Sequence, residues 1–139
     1  MSDPKTKLLI VEDDISSQQY YDIILSDLYD LTIVATVVAA KQAIQKTKFS
    51  ISIIDISLPG DENGIDLIKF LVSEYGKKLP AIAISAHAFP QNRIETIEAG
   101  AVEFFTKPIM SGTLLDALQK YIFVRSVTGN GVDSLADPL

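Results

Sequence analysis

The chain has 139 residues with 12 basic against 18 acidic side chains, a net charge of −6. That length suits one domain with a full core, and that charge argues against general nucleic-acid binding, leaving only a local basic patch open. There is no cysteine, which excludes disulfides, thiolate nucleophiles and thiolate metal sites and fits a cytoplasmic setting.

Residues 1–6 read as a short N-terminal extension; the opening MSDPKTK is polar and lacks the apolar core of a signal peptide. KLLIV (7–11) is a continuous apolar run, as in a strand buried on both faces. It runs straight into Glu12, Asp13 and Asp14, three like charges that cost stability if held close. A helix is expected over 16–28, with Ser16 as N-cap and Tyr20, Ile23, Ile24 and Leu28 spaced for one face. LTIVATV (31–37) is β-branched and predicts a strand. AAKQAIQKTK (39–48) is rich in helix formers, and SISIIDI (50–56) is again strand-like. SLPGDENG (57–64) holds Pro, Asp, Asn and two Gly and predicts a loop. A helix over 65–75 closes at Gly76. A strand at 80–85, a helix at 91–100, a strand at 102–106 and an amphipathic helix at 111–124 complete the order, before a Gly-, Ser- and Asp-containing stretch at 125–139 that reads as a flexible tail or the start of a linker. None of the apolar runs is long enough to span a bilayer.

Five strand–helix pairs in strict alternation imply an α/β fold: a parallel sheet with helices on both faces. Ligands of such sheets bind outside the carboxyl ends of the strands. There the chain offers Glu12, Asp13 and Asp14 after the first strand, Asp55 at the end of the third, Ser85 after the fourth and Lys107 after the fifth. The second strand ends without an ionic group. An all-oxygen carboxylate set suits Mg²⁺ (or Mn²⁺), a carboxylate can become an aspartyl phosphate, and an ammonium and a hydroxyl can meet the charge on a transferred phosphoryl group.

With those motifs in place, residues 7–124 resemble a response-regulator receiver domain of two-component signalling. The resemblance is carried by IVEDD, IIDISLPG, ISAHA and FFTKPI, in order and at compatible spacing. It implies the flavodoxin-like strand order 2-1-3-4-5. It implies Asp55 as phosphoacceptor, Asp13 as direct Mg²⁺ ligand, Glu12 acting mostly through a water, and the backbone carbonyl of Ser57 as the remaining protein ligand. Ser85 matches the hydroxyl that moves to the phosphoryl oxygen, Lys107 the lysine that pairs with acceptor and phosphate, and Phe104 the aromatic switch position, here without a hydroxyl. The Lys107–Pro108 bond is expected to be cis. The phosphoryl donor would be a histidine kinase or histidine phosphotransfer protein. The output surface would be the fourth helix, fifth strand and fifth helix, with neither nucleic acid nor membrane as a partner of this domain. The segment from Ser85 to Ile109 is also similar to receivers fused to or partnered with hybrid histidine kinases. One departure is the four residues between Pro59 and Gly64, where three are more usual; a bulged loop is expected.

The remaining residues read more plainly. Asp14 is expected at the surface or the start of a helix, Asp61 and Glu62 as exposed loop acids, Tyr20 and Tyr21 as a surface and core pair, and His87, the only histidine, as a rim residue. Two other readings are a receiver-like interaction module that is not phosphorylated, and a Mg²⁺-dependent aspartyl-nucleophile phosphatase. The second usually needs an Asp where this chain has Ser57. A nucleotide or flavin site is disfavoured because acids, not a glycine-rich loop, follow the first strand.

Overall fold

The computed structural model describes residues 4–58, 60–87 and 89–127. The elements run β1 (Thr6–Val11), α1 (Ile15–Leu25), β2 (Tyr29–Val34), α2 (Val37–Lys46), β3 (Ile51–Asp55), α3 (Gly64–Tyr75), a 3-10 turn at Gly76–Lys78, β4 (Ala81–Ser85), α4 (Pro90–Ala99), β5 (Glu103–Thr106) and α5 (Ser111–Val127). The sheet is parallel throughout, in the order β2-β1-β3-β4-β5.

Alternation along the strands splits the interior into two layers. Leu8, Ile10, Ile51, Ile53, Ile82 and Ile84 face α1 and α5, where Tyr21, Leu25, Leu114 and Leu118 meet them. Leu9, Val11, Ile54 and the small Ala81 and Ala83 face α2 and α3, against Ala40, Ile44, Leu67, Ile68 and Leu71. Each fully buried Leu or Ile contributes about 2 kcal/mol of transfer free energy. Both faces of β1, β3 and β4 are covered, which is why those strands read as unbroken apolar runs.

Element ends depart from expectation where capping chemistry decides. The N-cap of α1 is Asp14 and not Ser16: its carboxylate accepts from the Ser17 backbone N–H. β2 begins at Tyr29 and stops at Val34 because Thr36 caps α2 through the Ala39 N–H. Val37, expected to close that strand, is therefore in the first turn of a helix. α3 starts at Gly64 under a reciprocal cap in which Asn63 accepts from the Asp66 N–H and Asp66 from the Asn63 N–H. α5 continues to Val127, three residues past its expected end; the rest of the stretch read as a tail, 128–139, lies outside the described residues.

In the lengthened loop before α3, Gly60 takes φ +104°, a conformation that favours glycine. Glu62 is exposed but not idle: it pairs with Lys41 of α2 at 3.2 Å, and Lys41 also sits 4.5 Å from the Phe70 ring centroid. Gly64 is buried for a different reason. A Cβ there would lie 2.5 Å from the Ile56 Cα and 2.9 Å from the Asp55 carbonyl carbon, so α3 meets β3 backbone to backbone.

Candidate functional site

Strand register assembles the site. Val11 lies beside Ile54, Asp55 beside Ile84, and Ser85 beside Thr106, so the residues that follow each strand emerge at one edge. Backbone bonds extend the ladder past the strand ends: Glu12 N–H to Val34 O at 2.8 Å, Ile56 N–H to Ile84 O at 3.1 Å and Lys107 N–H to Ser85 O at 2.8 Å. The Gln18 amide also donates to the Glu12 carbonyl at 2.6 Å. The Lys107–Pro108 bond is cis, as expected.

Four of the singled-out side chains converge. Lys107 Nζ lies 3.1 Å from Asp55 Oδ2 and 2.8 Å from Glu12 Oε1. Glu12, Asp13 and Asp55 each bring a carboxylate oxygen within 4.8 Å of the others. Asp55 Oδ1 accepts from the Ser57 N–H at 2.8 Å, and Glu12 Oε2 accepts from the Asp14 N–H at 3.1 Å. Ser85 is wholly buried and its Oγ accepts from the His87 N–H at 3.0 Å. Glu12 Oε1 makes no hydrogen bond despite its burial; its closeness to Lys107 is an ion pair with poor hydrogen-bonding geometry.

Asp13 is exposed, whereas Glu12 and Asp55 are buried at 1% and 6% relative exposure. Burial raises the Glu12 carboxyl above its ordinary range, against the pull of Lys107 and the Asp14 N–H, and the Asp55 charge pushes the same way. Partial burial draws the Lys107 ammonium down, but Glu12 and Asp55 outweigh it and hold its pKa above the usual lysine value. The signs differ in consequence. Glu12 takes stability away as pH rises from 4.5 through its raised folded value, because its anion is buried among anions. Lys107 contributes stability that is whole below 10.5 and is lost only above it.

The other candidates are placed as follows. Phe104 is 3% exposed and packs into the α2–α3 layer, with the Arg93 guanidinium 5.1 Å from its ring centroid. His87 is exposed and stacks on Phe89 with centroids 5.9 Å apart. Tyr21 is core; Tyr20 is part-buried, its hydroxyl donating to the Ile109 carbonyl at 2.7 Å. Asp61 is exposed. Sequence reasoning passed over Ser17, whose Oγ lies 3.3 Å from Lys107 Nζ. The available signal was a serine three residues after an aspartate at a helix start, an arrangement that caps.

Tyr21 packs beneath this cluster. Burial, then the charges of Glu12 and Asp55, push its phenol far up from 10.0; burial alone raises Tyr29. The stability these neutral phenols contribute is therefore complete below pH 10 and is lost as pH climbs through their raised values. Ultraviolet titration is expected to show both ionising only together with unfolding, and Tyr21→Phe to move the alkaline unfolding midpoint upward. Free titration of all tyrosines in the folded state near pH 10 would contradict this.

The sequence model of the response regulator receiver domain matches residues 8–119. The chain belongs to that family. The receiver is similar to the transcriptional regulatory protein KdpE of Staphylococcus aureus, 32% identical over 105 residues covering 75% of this chain and 44% of that one. It is also similar to the response regulator protein PilR of Pseudomonas aeruginosa, 26% identical over 123 residues covering 88% of this chain and 27% of that one. The chain thus spans less than half the length of either relative. Its fold matches a CheY-like response regulator receiver domain protein from Methanospirillum hungatei with a TM-score of 0.81 at 24% identity, covering 88% of this chain and 98% of the other. The receiver is a two-component signalling domain with an acidic pocket at its sheet edge. Among the described residues no helix is long and apolar enough to cross a membrane.

Proposed function

We propose that Asp55 accepts a phosphoryl group and that Lys107, Ser85 and a divalent cation share its charge. The observation that carries this reading is the single point of convergence: Asp55 Oδ2 and Glu12 Oε1 both reach Lys107 Nζ, at 3.1 and 2.8 Å. A nucleophilic carboxylate there has a fixed cation beside it and the exposed Asp13 carboxylate within 4.8 Å.

The donor set fits Mg²⁺ or Mn²⁺. It is all oxygen, it is carboxylate-rich, and it includes the buried Glu12 Oε1 with no hydrogen bond. Asp13 and Asp55 would hold the ion directly, with the Ser57 carbonyl, and Glu12 through a water. When bound, the ion neutralises charge on the carboxylates and on the incoming group.

Asp55 forms the new O–P bond as the P–N bond of a phosphohistidine breaks. The electron pair leaves on the imidazole, which then takes a proton from solvent. Lys107 stays paired to the acceptor through the transfer, and Ser85 gives up the His87 N–H to turn its hydroxyl toward a phosphoryl oxygen. Phe104 reports that movement along β5. The phosphoryl group then biases a two-state equilibrium through contacts made in one state only. The donor would be a histidine kinase or a histidine phosphotransfer protein in the cytoplasm, and the responding surface would be α4, β5 and α5. Slow hydrolysis of its own acyl phosphate would be the domain's only other chemistry.

Radiolabelled acetyl phosphate with Mg²⁺ tests the assignment directly. Label is expected to appear on one residue, Asp55, as mapped by mass spectrometry after borohydride reduction, and to be absent when chelator replaces the metal. Label on another residue, or equal label in chelator, would overturn it.

A further inference from the structure

Lysine ammonium groups have three N–H donors and no acceptor. Lys107 donates to Asp55 Oδ2 at 3.1 Å and to a further oxygen, Ser17 Oγ, at 3.3 Å, and pairs with Glu12 by charge. Because the ammonium can only donate, the Ser17 oxygen accepts, and its own proton points elsewhere. It points to Asp14 Oδ2, 3.0 Å away. The result is a directed chain, from ammonium to hydroxyl to carboxylate, that links the end of β5 to the first turn of α1.

Helix capping does not require this hydroxyl. Asp14 Oδ2 already accepts the Ser17 backbone N–H at 2.9 Å, which satisfies the donor that a cap exists to satisfy. The hydroxyl is thus surplus to the helix and is committed to Lys107. Glu12 is buried and offers Lys107 an ion pair of poor angle, so on the acidic side the stem is directed by the Asp55 Oδ2 hydrogen bond at 3.1 Å. Ser17 supplies a directional contact.

We infer that Ser17 is a positioning residue for Lys107, holding the ammonium over Asp55 with Asp14 orienting the hydroxyl; this rests on the assignment of Asp55 as phosphoacceptor. Ser17 touches no reacting atom. It narrows the range of positions that Lys107 samples and so raises the fraction of molecules ready for transfer.

The test compares the wild-type chain with Ser17→Ala and Ser17→Thr. Two quantities are read: the initial rate of labelling by acetyl phosphate with Mg²⁺, and the hydrogen exchange of the Lys107 ammonium by nuclear magnetic resonance at low temperature. Ser17→Ala keeps the backbone cap and is expected to slow labelling about fivefold, the equivalent of one ordinary hydrogen bond. It is also expected to speed ammonium exchange about threefold. Ser17→Thr retains the hydroxyl and is expected to restore both. An unchanged rate in Ser17→Ala, a slowed rate with unchanged ammonium exchange, or a threonine variant as impaired as the alanine one would each overturn the inference. Asp55→Asn serves as the separate control. If label persists in that variant the phosphoacceptor assignment falls, while ammonium exchange still decides the role of Ser17.

Discussion

Asp55→Asn is expected to reduce labelling by acetyl phosphate to background, with the fold retained. The Asp55 carboxylate combines a nucleophilic oxygen with contact to Lys107: its Oδ2 lies 3.1 Å from Nζ. An amide of the same shape keeps the Oδ1 acceptor that receives the Ser57 N–H at 2.8 Å, so the β3 terminus has no reason to move. What changes is chemistry and charge. The amide nitrogen's lone pair is delocalised into its carbonyl and is not available to attack phosphorus, and the amide turns donors toward an ammonium that is itself only a donor. Lys107 is left with Glu12 and the Ser17 hydroxyl, and one of the three carboxylates that would hold Mg²⁺ is gone. Metal affinity is expected to fall at least about tenfold, read by calorimetry. Circular dichroism should match the wild type. Residual labelling above a few per cent, with the spectrum intact, would move the acceptor elsewhere.

Gly64→Ala is expected to be the most destabilising single-methyl change at the site. The added Cβ would lie 2.5 Å from the Ile56 Cα and 2.9 Å from the Asp55 carbonyl carbon. Both atoms are backbone, so no side-chain rotamer can relieve the contact, and α3 must separate from β3. Overpacking of this kind costs about 3 kcal/mol, or a fall in Tm of about 10 °C for a domain of this size. The displaced strand end carries Asp55, so labelling should fall as well. Gly112→Ala is the matched control. A Cβ at Gly112 meets nothing within 4 Å, and helix propensity favours the change, so Tm should stay level or rise. Equal Tm values for the two variants would refute the close-approach argument.

The contrast between these two glycines shows what a sequence exposes. Composition marks Gly64 as a loop residue beside Asn63, and nothing local says that another backbone lies against it. The strands were legible because burial on both faces leaves long apolar runs such as LLIV and IAI. The acids and the lysine were legible because charges that interrupt such runs need partners. Val37 misled because β-branching favours a strand, whereas the hydroxyl of Thr36 imposes a helix start there. Ser17 escaped notice because a serine on a helix gives no sign of facing a lysine 90 residues away. The strand order and the cis Lys107–Pro108 bond were foreseen only through the resemblance to receivers, not from the local residues.

The attachment of α4 has a mechanical consequence. α4 contributes only Thr96 as a fully buried residue, while Ile94 and Ile97 face outward at 57% and 42% exposure. Besides Thr96 and the part-buried Ala99, it is held to β5 by Arg93, which lies over the Phe104 ring and donates to the Phe104 carbonyl at 3.4 Å. Lifting α3 would uncover Leu67, Ile68 and Leu71 at about 2 kcal/mol each, whereas releasing Arg93 forfeits about 1 to 2 kcal/mol in all. α4 is thus hung more lightly than α3, and its Arg93 latch closes on the strand that leads to Lys107.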